Sequence, residues 1–205
     1  PSAMSRQQQY LLTCAALIGA VLLTFWPAIN ADFLEWDDDH NVYNNLHLRE
    51  LSSENLQWMF FDVGRDTRYK ALSWLGWTLI HQSFGLHAPA FHAANVLLHA
   101  INACLVLALC LRFLAVCRSV LGKTDEPPGT DLAIAGLATM FWALHPLRVE
   151  PVAWVTGFPY HVSLLFLLGS LLVYLGLDFA KSVFRQRRYW IMLGLYAAAM
   201  MSYPM

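Results

Sequence analysis

The chain has 205 residues, of which 58% are hydrophobic and only 13% charged, and its mean hydropathy is +0.44. Soluble domains carry about a quarter charged residues, so this balance excludes an ordinary soluble protein and indicates a multi-spanning membrane protein. The formal net charge of -1 selects no partner, and no basic block suits nucleic acid.

Tyr10 to Ile29 is apolar over about the 20 residues that a spanning helix needs. Arg6 precedes it, as in a secretory signal peptide. The run is long for one, however, and Trp26-Pro27 is bulky where small residues should precede cleavage. We read an uncleaved first span. Met4 reads as the natural start, with Pro1 to Ala3 extraneous to it. The segment from 31 to about 89 is a long polar-to-mixed loop that opens on Glu35-Trp36-Asp37-Asp38-Asp39-His40. Ser52-Ser53-Glu54 predicts a capped helix start, with Leu56, Met59 and Phe60 at helical spacing. Ala71 to Phe84 is a second amphipathic stretch, with Leu72, Leu75 and Leu79 on one side and Trp74 and Trp77 nearby. Such helices either lie in the membrane interface, which favours tryptophan, or pack on neighbouring spans.

The second span is expected over 90–116. Its first part carries His92, Asn95, His99 and Asn102 at spacings of three and four, one polar helix face. Polar groups in a span face a cavity or bond to other helices. Asn102 suits interhelical bonding, and for His92 and His99 both readings stand. A short loop with Lys123, Pro127, Pro128 and Gly129 leads to a third span over 132–144. That span ends at His145-Pro146-Leu147-Arg148-Val149-Glu150-Pro151, where proline stops the helix. The fourth span is expected over 158–179 and the fifth over 189–205. The apolar run is still open at Met205, so the chain is expected to continue. Cys14, Cys104, Cys110 and Cys117 fall in or beside apolar runs without metal-site spacing and read as small apolar fillers.

Basic residues orient the spans. With the amino terminus in the cytoplasm, Arg6, Arg112, Arg118, Lys123, Lys181, Arg185, Arg187 and Arg188 are inside, and both short inner loops are basic. Ten of the 14 acidic residues and every histidine then belong to the outer side or the outer half of a span. Chemistry is therefore expected outside.

Two outer segments carry the polar potential. Three consecutive carboxylates, Asp37 to Asp39, repel one another, so they read either as a site or as a solvated loop start or cap. A carboxylate within hydrogen-bond reach of a hydroxyl can act as its general base. Arginine's planar fork suits phosphate, which makes Arg148, and Arg65 or Arg68, candidates for a phosphate-linked donor. Arg148 and Glu150 also read as a simple ion pair.

Trp36-Asp37-Asp38-Asp39 resembles the Tyr-Asp-Asp motif of the transmembrane and tetratricopeptide-repeat-containing O-mannosyltransferases and their bacterial relatives. Further segments are similar in the same order. They are Arg68-Tyr69-Lys70-Ala71-Leu72-Ser73, Phe84-Gly85-Leu86 with Phe91-His92-Ala93-Ala94-Asn95-Val96-Leu97-Leu98-His99, Phe141 to Val155 around His145-Pro146-Leu147-Arg148-Val149-Glu150, and Ser202-Tyr203-Pro204-Met205. The resemblance runs from Phe33 to the end. It departs at Ala71, where the family has proline, and at Gly157-Phe158-Pro159-Tyr160-His161, where many members have Gly-Arg-x-Asp or Glu-Arg-Lys-Asp. No tetratricopeptide array falls within these residues.

The resemblance implies an all-α integral membrane protein with a GT-C-type multi-span bundle, cut within its fifth span. It also implies a glycosyltransferase that moves a sugar from a polyprenyl-phosphate-linked donor to an acceptor hydroxyl on a protein or glycan. The active face would be periplasmic at a bacterial inner membrane, or luminal at the endoplasmic reticulum. The motif match puts the base at Asp37 or Asp38. The expected donor-phosphate and substrate cavity comprises Asp39, Arg68, His92, His99, His145, Arg148 and Glu150. The reaction needs no nucleotide and no covalent intermediate, and a divalent cation on the leaving phosphate would find ligands in Asp38, Asp39 and a histidine. Its rivals are a non-catalytic family member serving as a membrane scaffold, and a transporter.

Overall fold

The computed structural model describes residues 4–62, 68–122 and 129–204. Arg65, Lys123, Pro127 and Pro128 lie outside them. Among the described residues every regular element is helical. Three helices are long and apolar enough to cross a membrane: Arg6–Ile29 (α1), Ala88–Leu121 (α4) and Val155–Tyr174, whose main part is Phe158–Tyr174 (α7). A fourth crossing results if Thr130–Ala143 (α5) and Pro146–Ala153, which ends in the short helix Val149–Ala153 (α6), are one broken span bent by 57°.

Local chemistry explains most boundaries. Ser5 and Gln8 form a reciprocal capping box that starts α1 ahead of the apolar run. Pro89 sits in the first turn of α4, where its missing N–H costs nothing. Gly122, at φ 65, ends that helix in the left-handed region that suits glycine. At 34 residues α4 outruns the span expected at 90–116 in both directions. The fourth span ends at Tyr174 rather than near 179. There the Gln186 side chain bonds both backbone groups of Asp178 and Arg188 bonds the carbonyl of Gly176, which ties 176–188 into a closed turn. Where a fifth span is expected, the described residues form a 16-residue helix, Arg187–Ser202 (α8), about 24 Å long, which is not among the helices long and apolar enough to cross a membrane.

Small residues let α1 and α4 approach closely. Ala100 and Ala103 meet Val21 and Phe25, with Ala143 and Val152 completing this cluster. A lower cluster joins Leu17, Leu107 and Ala135. The segment between α1 and α4 contributes Ser53–Phe61 (α2) and Ala71–Phe84 (α3), as expected. The buried side of α3 is set by its tryptophans: Trp74 and Trp77 are wholly buried among Val42, Met59, Phe91 and Phe158, while Leu79 is half exposed. Of the two readings open for α3, packing is the one seen. Gly76 makes room for it, since a Cβ there would stand 2.6 Å from the Phe158 ring. The ends of α1 and α5, the starts of α4 and α7, and the described parts of the 31–89 segment thus gather at one end of the bundle, here called the loop end.

Candidate functional site

The acidic run does not act as a unit. Asp37 is exposed and has φ 69, a left-handed conformation that few residues other than glycine adopt, though aspartate tolerates it better than most. That turn sends the next side chain inward. Asp38 is 0% exposed, and its two oxygens accept three hydrogen bonds: Leu34 N (3.0 Å), Thr156 N (2.9 Å) and Thr156 Oγ1 (2.7 Å). Beside it, Trp154 Nε1 donates to the carbonyl of Trp36 (3.0 Å). The loop after α1 is therefore clasped to the 3-10 turn Val155–Gly157 that starts α7. Asp39, half-buried, begins a wide turn, Asp39–Tyr43. Burial, and then the carboxylates of Asp39, Glu35, Asp38 and Asp32, push the Tyr43 phenol above its ordinary pKa.

The polar face of α4 is spent on carbonyl oxygens. His92 Nε2 meets the carbonyl of Asp32 (3.3 Å), Asn95 donates to Trp154 (2.6 Å), His99 Nε2 meets Ala143 (2.9 Å), and Asn102 donates to His161 (3.0 Å). All four side chains are buried. Two of these four carbonyls, Ala143 and Trp154, bound or belong to the irregular segment between α5 and α7. Asn102 thus has the interhelical role expected of it. His92 and His99 combine that role with a place in a cavity wall.

Two cavities meet at Glu150. The first, about 480 Å³, is walled mostly by apolar groups, among them Ala28, Leu34, Trp36, Val149 and Trp154, with Asp32, His92 and Glu150. Leu34, Trp36 and Val149 are more than half exposed, so this cavity opens through an apolar mouth. The second, about 400 Å³, is lined by His99, Trp142, Arg148, Glu150, Tyr160 and His161 with Pro151 and Leu164. The Arg148 guanidinium lies 5.3 Å from the centre of the Trp142 ring, a cation–π contact, and its Nε is buried without a hydrogen-bond partner. No ion pair joins Arg148 to Glu150 among the described residues, so the two opposite charges remain available to a ligand.

The other expected residues, Asp39, Arg68 and His145, are not among those lining the two cavities. His145 caps the turn Pro146–Arg148, its Nδ1 accepting Leu147 N–H (3.2 Å). Arg68 lies 5.3 Å from the centre of the Tyr203 ring, and Tyr203 in turn packs edge-on against Tyr160 of the second cavity. Among the described residues no group of three or more His, Cys, Asp or Glu side chains is arranged to hold a metal. Sequence reasoning missed Thr156, Tyr160 and His161 as site residues. Thr156 carried no signal, because its importance lies in a contact with Asp38. His161 had one, as a histidine near the start of an apolar span. Comparison with protein-family models, curated proteins and solved structures finds no match to this chain.

Proposed function

We propose that the chain forms the amino-terminal part of a glycosyltransferase that takes its sugar from a polyprenyl-phosphate-linked donor, working at the loop end on the outer or luminal face of the membrane. One observation carries this reading: an apolar-mouthed cavity adjoins a polar one that holds the Arg148 guanidinium, whose Nε has no hydrogen-bond partner among the described residues. Such a pair fits an amphipathic substrate, with prenyl chain in the first and phosphate against Arg148 in the second. The collinear motif set supports the same reading. In the proposed reaction the acceptor hydroxyl attacks the anomeric carbon, the bond from that carbon to the phosphate oxygen breaks, and polyprenyl phosphate leaves. Asp37 accepts the hydroxyl proton. Asp38, the other motif carboxylate, positions it, because its own oxygens already hold three protein donors.

A transport path would need polar groups through the depth of the bundle. Beyond Asn102, α4 instead buries Leu107 and lines an apolar cavity with Leu109, Cys110, Phe113 and Leu114. The test is sugar transfer from polyprenyl-phosphate mannose and glucose by the intact purified protein, with Arg148→Gln alongside. Transfer that is lost in Arg148→Gln supports the proposal. Neither transfer nor binding of any such donor by the wild type overturns it.

A further inference from the structure

His99 on α4 and His161 on α7 pack against each other in the wall of the second cavity, ring centres 5.4 Å apart. Each is nearly wholly buried, at 1% and 3% exposed. Each fixes one nitrogen on a backbone carbonyl: His99 Nε2 on Ala143 (2.9 Å) and His161 Nε2 on Pro151 (3.0 Å). A carbonyl only accepts, so Nε2 carries the hydrogen, and in the neutral ring Nδ1 is left with its lone pair. Among the described residues neither Nδ1 has a hydrogen-bond partner, and neither is sealed in packing as Nδ1 of His92 and His81 are. Both rings line the cavity that holds Arg148, Glu150 and Tyr160.

Acceptors fixed in orientation and open to a cavity are ready to be completed by a ligand in place of water. The cavity sets donors on Arg148 against acceptors on two imidazoles and one carboxylate. The complementary ligand carries an anionic group on one side and hydroxyl donors on the other. We propose that His99 and His161 read hydroxyl groups of the donor sugar through Nδ1, and so determine which glycosyl phosphate is accepted. This rests on the donor assignment under Proposed function and adds to it the two residues that select the sugar.

Each ring has a bridging role and a reading role, and amide substitutions separate them. Glutamine reaches as far as Nε2, so His161→Gln keeps a donor for Pro151 O and removes the Nδ1 acceptor. Asparagine ends near Nδ1, so His161→Asn keeps a polar atom in the cavity and loses the bridge. His99→Gln and His99→Asn divide in the same way around Ala143 O.

The experiment measures binding of citronellyl phosphate, its mannosyl ester, its glucosyl ester and monodeoxy forms of the preferred ester to the intact protein. Wild type should bind one glycosyl ester about tenfold or more tighter than citronellyl phosphate, from hydrogen bonds worth about 1 kcal/mol each. At least one deoxy ester should forfeit that preference with no variant involved. His161→Gln should lose the preference and bind citronellyl phosphate as wild type does, whereas His161→Asn should keep the preference and melt earlier. If both glutamine variants keep the wild-type preference, or every deoxy ester binds as well as its parent, the inference is wrong and the donor assignment stands. If wild type binds neither citronellyl phosphate nor either ester, both fall.

Discussion

Replacing Asp38 tests how the loop end is held together. Its carboxylate is 0% exposed and takes three donors, one from Leu34 and two from Thr156, which is 118 residues away in sequence. Asp38→Asn keeps one oxygen for Thr156 but turns an amide NH2 toward Leu34 N–H. One charge-assisted bond is lost, about 1.5–3 kcal/mol, and a buried donor goes unmatched. For a chain of this size 1 kcal/mol moves Tm by about 2–4 °C, which gives a fall of about 3–12 °C. Asp38→Ala strips all three bonds and should fall further. Thr156→Val removes only the hydroxyl and should cost least. Thermal unfolding of the purified protein in detergent gives the order, and the Asp38→Ala, Thr156→Val double mutant should show coupling of about 0.5–3 kcal/mol. An Asp38→Ala protein that melts within about 1 °C of wild type would refute the clasp, since three buried bonds cannot vanish at so small a cost.

Asp37→Asn, which suits the left-handed conformation as well as aspartate does, should leave Tm unchanged and cut sugar transfer by about 10²–10⁴; normal turnover would remove Asp37 as the base. Gly157→Ala should destabilise by about 2 kcal/mol or more, because its Cβ would stand 2.0 Å from the Pro151 carbonyl oxygen, and backbone cannot step aside; an unchanged melting curve would contradict that approach. Tyr43 should ionise above the ordinary value of 10.0 for reasons of burial first and then the Asp39 charge. Its folded pKa being raised, its contribution to stability is present below the unfolded value and is lost as pH rises through the folded one. Ultraviolet titration against Tyr43→Phe checks this, and Asp39→Asn should shift the transition downward.

The helices were legible where periodicity and punctuation agreed. The Ser52-Ser53-Glu54 start and the apolar runs placed α1, α2 and α4, and the amphipathic stretch with Trp74 and Trp77 marked α3. His145-Pro146 announced the break after α5 but not its continuation as a bent partner, since composition carries no angle. Three adjacent carboxylates read as equivalent in sequence. Only the backbone turn at Asp37 separates an exposed acid from a buried one, and a single φ leaves no mark on neighbouring residue types. The Arg148–Glu150 spacing suited an ion pair, yet the side chains serve different walls, Glu150 bordering both cavities and Arg148 the second.

The polar face of α4 follows from the shape of the site. Arg148, Glu150 and Pro151 reach the cavities because the chain between Ala143 and Phe158 abandons continuous helix. Each departure leaves carbonyl oxygens without helical donors, in a surround where water is scarce. His99 on α4 and His161 on α7 supply donors at Ala143 and Pro151, and Asn95 and Asn102 on α4 bond the carbonyls of Trp154 and His161. An amide group or an imidazole would serve equally as a bridge. They differ in what remains: the second polar atoms of Asn95 and Asn102, their Oδ1 oxygens, are sealed in packing, whereas His99 and His161 keep Nδ1 open. Histidine therefore stands at the two bridges that border the polar cavity, and asparagine at two that are packed shut. The same bonds that hold the broken backbone in place orient the atoms offered to a ligand.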